Sequence, residues 1–149
     1  MINATTTRLT LFLFTIFAFL SKASHAADYY WVNGSGDWND GMHWSISSGG
    51  APAGTIPGET DNASFDALSF DDDFSLVNIS ASAAINDLKI DADKYVSFHG
   101  GNVNLTVHGD FDIQSRLGFH LSGKIRLENN KASENLIRTN SIDFNTDLA

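Results

Sequence analysis

Alternation of apolar and polar residues is the most regular pattern in this chain. In residues 105–113, LTVHGDFDI, apolar residues or glycine occupy every second position, and Thr, His and Asp lie between them. Residues 119–127, FHLSGKIRL, repeat the alternation. A period of two places one set of side chains in a core and the other in solvent, as in a β-strand. No segment after residue 27 shows a sustained helical period, so the pattern predicts an all-β fold with almost no regular helix.

The two alternating blocks match each other at an offset of 14 residues, which aligns Gly109 with Gly123. A weaker third unit, 136–144, has Asn140 at the equivalent position. The connection 114–118 is shorter than the dozen or so residues that a parallel return usually needs. Two arrangements stay open: the blocks form an antiparallel hairpin, or each glycine is a corner that divides its block into two short strands, as in a β-solenoid.

A parallel pairing of the blocks in this register would bring opposite charges together. Asp110 would face Lys124, and Asp112 would face Arg126. Each such pair contributes roughly 0.2–1 kcal/mol. Acidic and basic pairs of this kind act on polysaccharide in some β-helix enzymes, but the simpler interpretation is a ladder of surface charges.

All three tryptophans of the chain lie within residues 29–45, YYWVNGSGDWNDGMHWS. They are Trp31, Trp38 and Trp44, and glycines separate them. The first coil of a solenoid has no preceding coil over its core, so a terminal repeat needs unusual capping residues. One indole buries roughly 200 Å². The three are therefore predicted to form a structural cap, and the alternative is an exposed tryptophan that stacks on a sugar ring.

Residues 1–26 have the pattern of a secretory signal peptide. A basic start leads into the apolar run 9–20, and small residues precede a cleavage site predicted between Ala26 and Ala27. The run is shorter than the roughly 20 residues of a membrane span, and an uncleaved anchor is the alternative. The predicted segments are the signal peptide at 1–26, a Trp/Gly-rich cap and loop at 27–64, and incomplete solenoid-like β-repeats at 65–149.

The chain is strongly acidic, with a formal net charge of -9. The signal peptide contains two of the nine basic residues and none of the eighteen acidic ones, so cleavage would leave a charge of -11. Such a surface repels phosphate backbones, which argues against nucleic-acid partners. Cysteine is absent, so an exported domain would depend on packing, backbone hydrogen bonds or bound ions. No segment after the signal is apolar enough to span a membrane.

The acidic segment 61–73 contains the candidate metal ligands. Carboxylate oxygens suit Ca²⁺, but their spacing matches no EF-hand, and a solvated loop is the simpler interpretation. The weak Ca²⁺ candidates are Asp61, Asp66, Asp71, Asp72 and Asp73. No other cofactor is predicted. His108 and His120 fall at outward positions and are interpreted as surface residues. No catalytic motif is found, so the chain is not predicted to be an enzyme.

Taken together, these features resemble the N-terminal Trp-rich module of large secreted bacterial adhesin-like surface proteins. Those modules open with Y-x-W-V-G-G-x-G-x-W-s-d-x-x-H-W-s and continue into alternating repeats around glycine. The residues that match are Trp31, Gly36, Trp38, Asp40, His43, Trp44, Asp61, Asn62, Phe65 and Asp66, followed by the repeat portion 105–144. This chain has Asn33 and Ser141 where the module favours glycine.

The resemblance implies a right-handed parallel β-helix in a non-enzymatic, exported, surface-located protein. Surface glycans or other surface proteins would be its partners. The repeat pattern would continue beyond residue 149, so the chain is expected to be a fragment of a longer protein. The alternative fold is an antiparallel β-sandwich, and the alternative function is that of a carbohydrate-binding or carbohydrate-acting β domain.

Overall fold

The computed structural model describes residues 26–129 and 134–139, and the backbone of a short strand at 143–144. The predicted signal peptide up to residue 25 and the predicted corner at Asn140 lie outside the described residues. A 3-10 turn spans Gly41–His43. The strands are β1 (Asp28–Trp31), β2 (Gly36–Asp37), β3 (Trp44–Ser45), β4 (Asn62–Phe65), β5 (Phe74–Ile79), β6 (Ala83–Ile85), β7 (Leu88–Ile90), β8 (Tyr95–Gly100), β9 (Asn104–Val107), β10 (Phe111–Ile113), β11 (Leu117–Leu121), β12 (Lys124–Leu127), β13 (Ile137–Thr139) and β14 (Asp143–Phe144).

The strands form three sheets, and consecutive strands from β4 onward lie in different sheets. Sheet A has the order β13-β10-β7-β4-β1-β3, sheet B the order β14-β11-β8-β5-β2, and sheet C the order β12-β9-β6. All pairs are parallel except β1 with β3. The fold is therefore a β-solenoid of about three turns, formed by β4–β6, β7–β9 and β10–β12. This confirms the solenoid prediction and excludes the antiparallel sandwich and the hairpin.

Gly109 and Gly123 both lie at corners, but at different ones. Gly109 connects β9 of sheet C to β10 of sheet A, whereas Gly123 connects β11 of sheet B to β12 of sheet C. The 14-residue alignment of the two blocks therefore does not correspond to a turn of the solenoid. In sheet B one turn is 21 residues, because Val77 pairs with Phe98 and Phe98 pairs with Phe119.

The opposite-charge pairs expected from the 14-residue alignment do not form. Asp110 and Lys124 are in different sheets, and so are Asp112 and Arg126, because each block is divided at its corner. The partners in register are Asp112 with Lys89 and Arg138, Lys124 with Asn104, and Arg126 with Thr106. The guanidinium Nε of Arg138 lies 3.5 Å from Asp112 Oδ1.

The predicted in-and-out alternation is present in the first block. Residues 105, 107, 109, 111 and 113 are buried, and the residues between them are partly exposed. The buried side chains stack from turn to turn along the solenoid. The ring centroids of Phe98 and Phe119, for example, lie 5.0 Å apart. The core is thus a column of apolar side chains enclosed by the three sheets.

Polar side chains join successive turns at the corners. Asp87 Oδ1 accepts a hydrogen bond from the N–H of Asp110 at 2.7 Å, and Asp110 Oδ1 accepts one from the N–H of Leu136 at 2.9 Å. Asn104 Oδ1 accepts one from the N–H of Lys124 at 3.1 Å. At the corners the backbone leaves the sheets, and these side-chain oxygens accept hydrogen bonds from its N–H groups.

The three tryptophans lie at the N-terminal end of the core. Trp31, Trp38 and Trp44 have no exposed surface. The ring centroids of Trp31 and Trp44 lie 5.3 Å and 5.6 Å from that of Phe65 in the first full turn. Two indole N–H groups donate to backbone carbonyls, that of Trp31 to Gly34 and that of Trp44 to Trp38. No indole face is therefore available to stack on a sugar ring.

The first full turn begins with β4 at Asn62, inside the segment 27–64 that is predicted to be the cap and loop. The segment before it is already part of the sheets, since β1 pairs with β4 and β2 pairs with β5. The antiparallel strand β3 closes sheet A at this end.

Candidate functional site

The outward side of sheet B carries aromatic and histidine side chains that lie outside the core. Phe74, Leu76 and Asn78 alternate with core residues on β5, and Tyr95, Ser97 and His99 do so on β8. On β11 the same positions are Gly118 and His120. Parallel in-register pairing puts residues of successive turns side by side. We call these eight residues the sheet B face.

Two histidines stand next to each other on this face. His99 of β8 is the register partner of His120 of β11. Their ring centroids are 4.8 Å apart, and the ring planes make an angle of 40°. Ser97 Oγ and His99 Nε2 share a hydrogen bond of 2.9 Å, which holds the His99 ring toward the preceding residues of its strand.

Tyr95 and His120 pack directly over Gly118, beside this pair. A Cβ atom at Gly118 would lie 2.7 Å from Tyr95 Oη and 3.0 Å from His120 Nε2. Gly118 is also the register partner of Ser97. We call the group that Tyr95, Ser97, His99 and His120 form around Gly118 the Gly118 notch.

The electrostatics of the notch favour a neutral His99. Partial burial lowers the pKa of His99, and the neighbouring His120 lowers it further. A neutral imidazole has one ring nitrogen with a free electron pair, which can accept a proton or bind a metal ion. The notch therefore offers imidazole nitrogens together with two hydroxyl oxygens.

An exposed aromatic surface adjoins the notch. Phe74 follows an acidic loop and is 61% exposed. Its ring stacks on that of Tyr95, with centroids 5.4 Å apart and planes at 16°. Leu76 continues the apolar surface toward Ser97, its register partner. This surface has the flat apolar character that sugar rings stack on.

A shallow depression beside Tyr95 is lined by charged residues. Lys94 Nζ lies 2.7 Å from Asp73 Oδ1. The hydrogen bond and the charge of Lys94 lower the pKa of Asp73, and Asp73 in turn raises the pKa of Lys94. The complete lining consists of Asp73, Ala92, Asp93, Lys94, Tyr95 and Arg116. Because the ion pair is exposed, it contributes little to stability.

Asp37 connects the tryptophan segment to the first full turn. It does so at Asn78, the register partner of His99 in the preceding turn. Its carboxylate accepts hydrogen bonds from Asn78 Nδ2 at 2.7 Å, Ser80 Oγ at 2.9 Å and the N–H of Asn39 at 2.8 Å. Partial burial by itself would raise the pKa of Asp37, but these hydrogen bonds outweigh it and lower the pKa. The carboxylate is thus engaged in holding the two turns together.

The structure does not bring the five Ca²⁺ candidates together. Asp61 accepts hydrogen bonds from the N–H groups of Ala27 and Gly58, Asp66 accepts from Leu68, and Asp73 pairs with Lys94. Asp71 and Asp72 are exposed. Among the residues that the structure describes, no three His, Asp or Glu side chains are grouped so that they would hold a metal ion.

The 14-residue alignment of the two blocks does not predict the pairing of His99 with His120, because these residues lie 21 positions apart. A signal for the pairing was present. The dipeptide Phe-His occurs at 98–99 and again at 119–120, one sheet B turn of 21 residues apart. In a solenoid, identical dipeptides at the turn length are register partners.

Comparisons of this chain with protein-family models, with curated proteins and with solved structures find no match. Nor does the described part of the chain contain a helix with the length and apolar character needed to cross a membrane.

Proposed function

We propose that this chain is an exported, non-enzymatic structural domain of an adhesin-like surface protein. The solenoid would act as a scaffold that presents its outward side chains to a surface glycan or to another surface protein. The observation that carries this proposal is the in-register stacking of outward positions on sheet B. Stacked turns place equivalent side chains at regular intervals along one side, which suits multivalent contact with a repeating surface.

Export can be tested by expressing the full chain, with its own N-terminal segment, in a bacterium with a secretion pathway. We expect the chain in an extracytoplasmic fraction, with an intact mass that begins at Ala27. A matched chain in which Leu13 and Phe14 are replaced by Asp should stay in the cytoplasm, because charges disrupt the apolar region of a signal peptide. Cytoplasmic retention of the unaltered chain, with residues 1–26 present, would contradict the proposal.

A carbohydrate-binding domain is the second candidate, and the exposed ring of Phe74 favours it. Phe74 stacks on Tyr95 beside the hydroxyl and imidazole groups of the notch. Sites for small ligands usually combine apolar or aromatic side chains with a few hydrogen-bonding groups.

Glycan-array binding by the full chain and by two variants tests this candidate. Phe74→Ala should abolish the signal, whereas Leu68→Ala removes an equally exposed apolar side chain away from sheet B and should leave it intact. Equal signals from both variants would exclude the Phe74 surface as the site of binding.

A further inference from the structure

We propose that the outer edge of β12, on the side away from β9, binds an extended segment of a partner protein in which apolar and acidic residues alternate. We call this side of the strand the β12 edge. The segment would lie parallel to β12 and extend sheet C by one strand. The β12 edge is separate from the sheet B face, so this interaction goes beyond the scaffold role and does not depend on it.

Sheet C is shorter than the other two sheets at the C-terminal end of the solenoid. Sheets A and B continue past β10 and β11 to β13 and β14. Among the strands that the structure describes, none follows β12 in sheet C. The described part of the solenoid therefore leaves the place of one strand open beside β12.

The backbone of β12 offers hydrogen-bonding groups to this open side. The N–H groups of Lys124 and Glu128 donate to carbonyl oxygens on the β9 side. Because the N–H groups of a strand alternate between its two sides, those of Ile125 and Leu127 point away from β9. An edge strand with such groups is a template on which another strand can pair.

The inward side chains of β12 are less well covered than those of the preceding turn. Leu105 and Val107 of β9 have no exposed surface. Their register partners on β12 are Ile125, which is partly exposed, and Leu127, which is 45% exposed. A strand with apolar residues at the matching positions would remove this surface from water, which favours association.

The outward side chains of β12 determine which partner fits. Lys124 and Arg126 are both exposed, and they are two of only nine basic residues in a chain with a formal net charge of -9. Glu128, just after the strand, forms an ion pair with Arg126. On an added parallel strand the residues beside Lys124 and Arg126 also face outward. Asp or Glu at those positions would form favourable opposite-charge pairs.

The same charges disfavour a second copy of β12 as the occupant. In an antiparallel pairing of two copies centred on Ile125, Lys124 of each copy would lie opposite Arg126 of the other. Like charges directly opposite each other destabilise a strand pair. The competing explanation is that the basic residues only protect the edge from pairing, as charged side chains do on many edge strands.

The deciding experiment measures binding of a labelled ten-residue peptide, in which valine alternates with aspartate, to the full chain by fluorescence anisotropy. We expect saturable binding, and at least about ten-fold weaker binding of the same peptide with lysine in place of aspartate. Hydrogen-exchange NMR of the unaltered chain should show slower exchange at the N–H groups of Ile125 and Leu127 when the aspartate peptide is bound. Exchange at Lys124, which already donates to the β9 side, should change little.

The double variant Lys124→Glu, Arg126→Glu should reverse the preference between the two peptides. Lys89→Glu is the matched control, because Lys89 is exposed on β7, a strand with neighbours on both sides, and it should leave binding unchanged. The proposal is wrong if the aspartate peptide does not bind, or if it binds without slowing exchange at Ile125 and Leu127. It is also wrong if Lys89→Glu weakens binding as much as the double variant. The exchange measurement uses the unaltered chain, so it decides the matter even if a variant unfolds.

Discussion

At the scale of single residues, Gly109 shows how closely the turns of the solenoid are stacked. A Cβ atom at this corner would collide with the carboxylate of Asp87 in the preceding turn and would lie 3.0 Å from the carbonyl oxygen of Asn86. The buried corner therefore has no space for a methyl group. The constraint comes from the neighbouring turn and not from the local conformation of the chain.

We predict that Gly109→Ala lowers the free energy of unfolding by about 1–3 kcal/mol, the usual cost of overpacking a filled site. Urea denaturation followed by circular dichroism measures the change. Gly101→Ala is the control, because nothing lies within 4 Å of a Cβ atom there. If the two substitutions have equal effects, the close contact between turns at this corner is not present in solution.

His99 is the residue from which we expect a pH dependence of stability. Its pKa in the folded state is lowered below the ordinary value of 6.5 by burial and by His120. Folding therefore favours the neutral ring, and the folded state loses stability as the pH falls below 6.5. The lowered pKa of Asp37 acts in a different range, because its contribution is present above 3.8 and is lost only in more acidic solution.

We therefore predict that His99→Gln loses less stability than the unaltered chain when the pH is lowered from about 7.5 to about 5, the range in which histidine changes charge. Urea denaturation at both pH values, with a chelator present to remove metal ions, gives the comparison. The same loss of stability in both proteins would show that His99 is not responsible.

At the scale of elements, the strands are too short to be stable alone, and the corner hydrogen bonds supplement them. Strand β10 has three residues, and so does β7, with which it pairs. Just before β10 and β13, the N–H groups of Asp110 and Leu136 donate to the carboxylates of Asp87 and Asp110. These hydrogen bonds are additional to the backbone hydrogen bonds between the strands. The two carboxylates thus connect each turn to the next at the position where the paired strands begin.

Asp87→Ala is predicted to lower the free energy of unfolding by about 1–3 kcal/mol, because it removes the acceptor of a partly buried backbone donor, the N–H of Asp110. The N–H of Asp110 should also exchange with solvent faster, and hydrogen-exchange NMR can follow it directly. Asp71→Ala removes an exposed carboxylate from a loop and should leave both measurements unchanged. Unchanged exchange at Asp110 in Asp87→Ala would argue against this role of the corner.

At the scale of the whole molecule, one apolar core continues from the tryptophans through the described turns. Trp31, Trp38 and Trp44 belong to the same cluster of buried residues as Phe98 and Phe119. The end of a solenoid core is exposed to solvent unless side chains cover it. The indoles lie over that end, so their loss should affect the whole chain.

We predict that Trp44→Ala lowers the free energy of unfolding by about 3–5 kcal/mol, as expected for deleting a large buried aromatic side chain. Met42→Ala, in the same segment but exposed, should change it by less than about 0.5 kcal/mol. Urea denaturation of both variants provides the measurement. A small effect of Trp44→Ala would mean that the cap is dispensable for the stability of the turns.

Much of the fold could be predicted from the sequence, because alternation is a local property. The positions of Leu105, Val107, Phe111 and Ile113 show which side chains face the core whatever the strands pair with. Gly109 is a corner in one of the two arrangements that the sequence leaves open, and the structure confirms that arrangement. The tryptophan segment pointed to an unusual N-terminal end without showing how the indoles pack.

The sequence by itself thus determined the strand type and the inward residues of this protein. The tertiary structure decided which strands are neighbours, since pairing in sheet B joins residues 21 positions apart. That separation depends on how many residues three strands and three corners require, and the alternation of apolar and polar residues does not contain it. For this reason Asp112 meets Arg138 and not Arg126. It is also why His99 and His120, both outward by their alternation, become one pair beside Gly118 only when the chain has completed a turn.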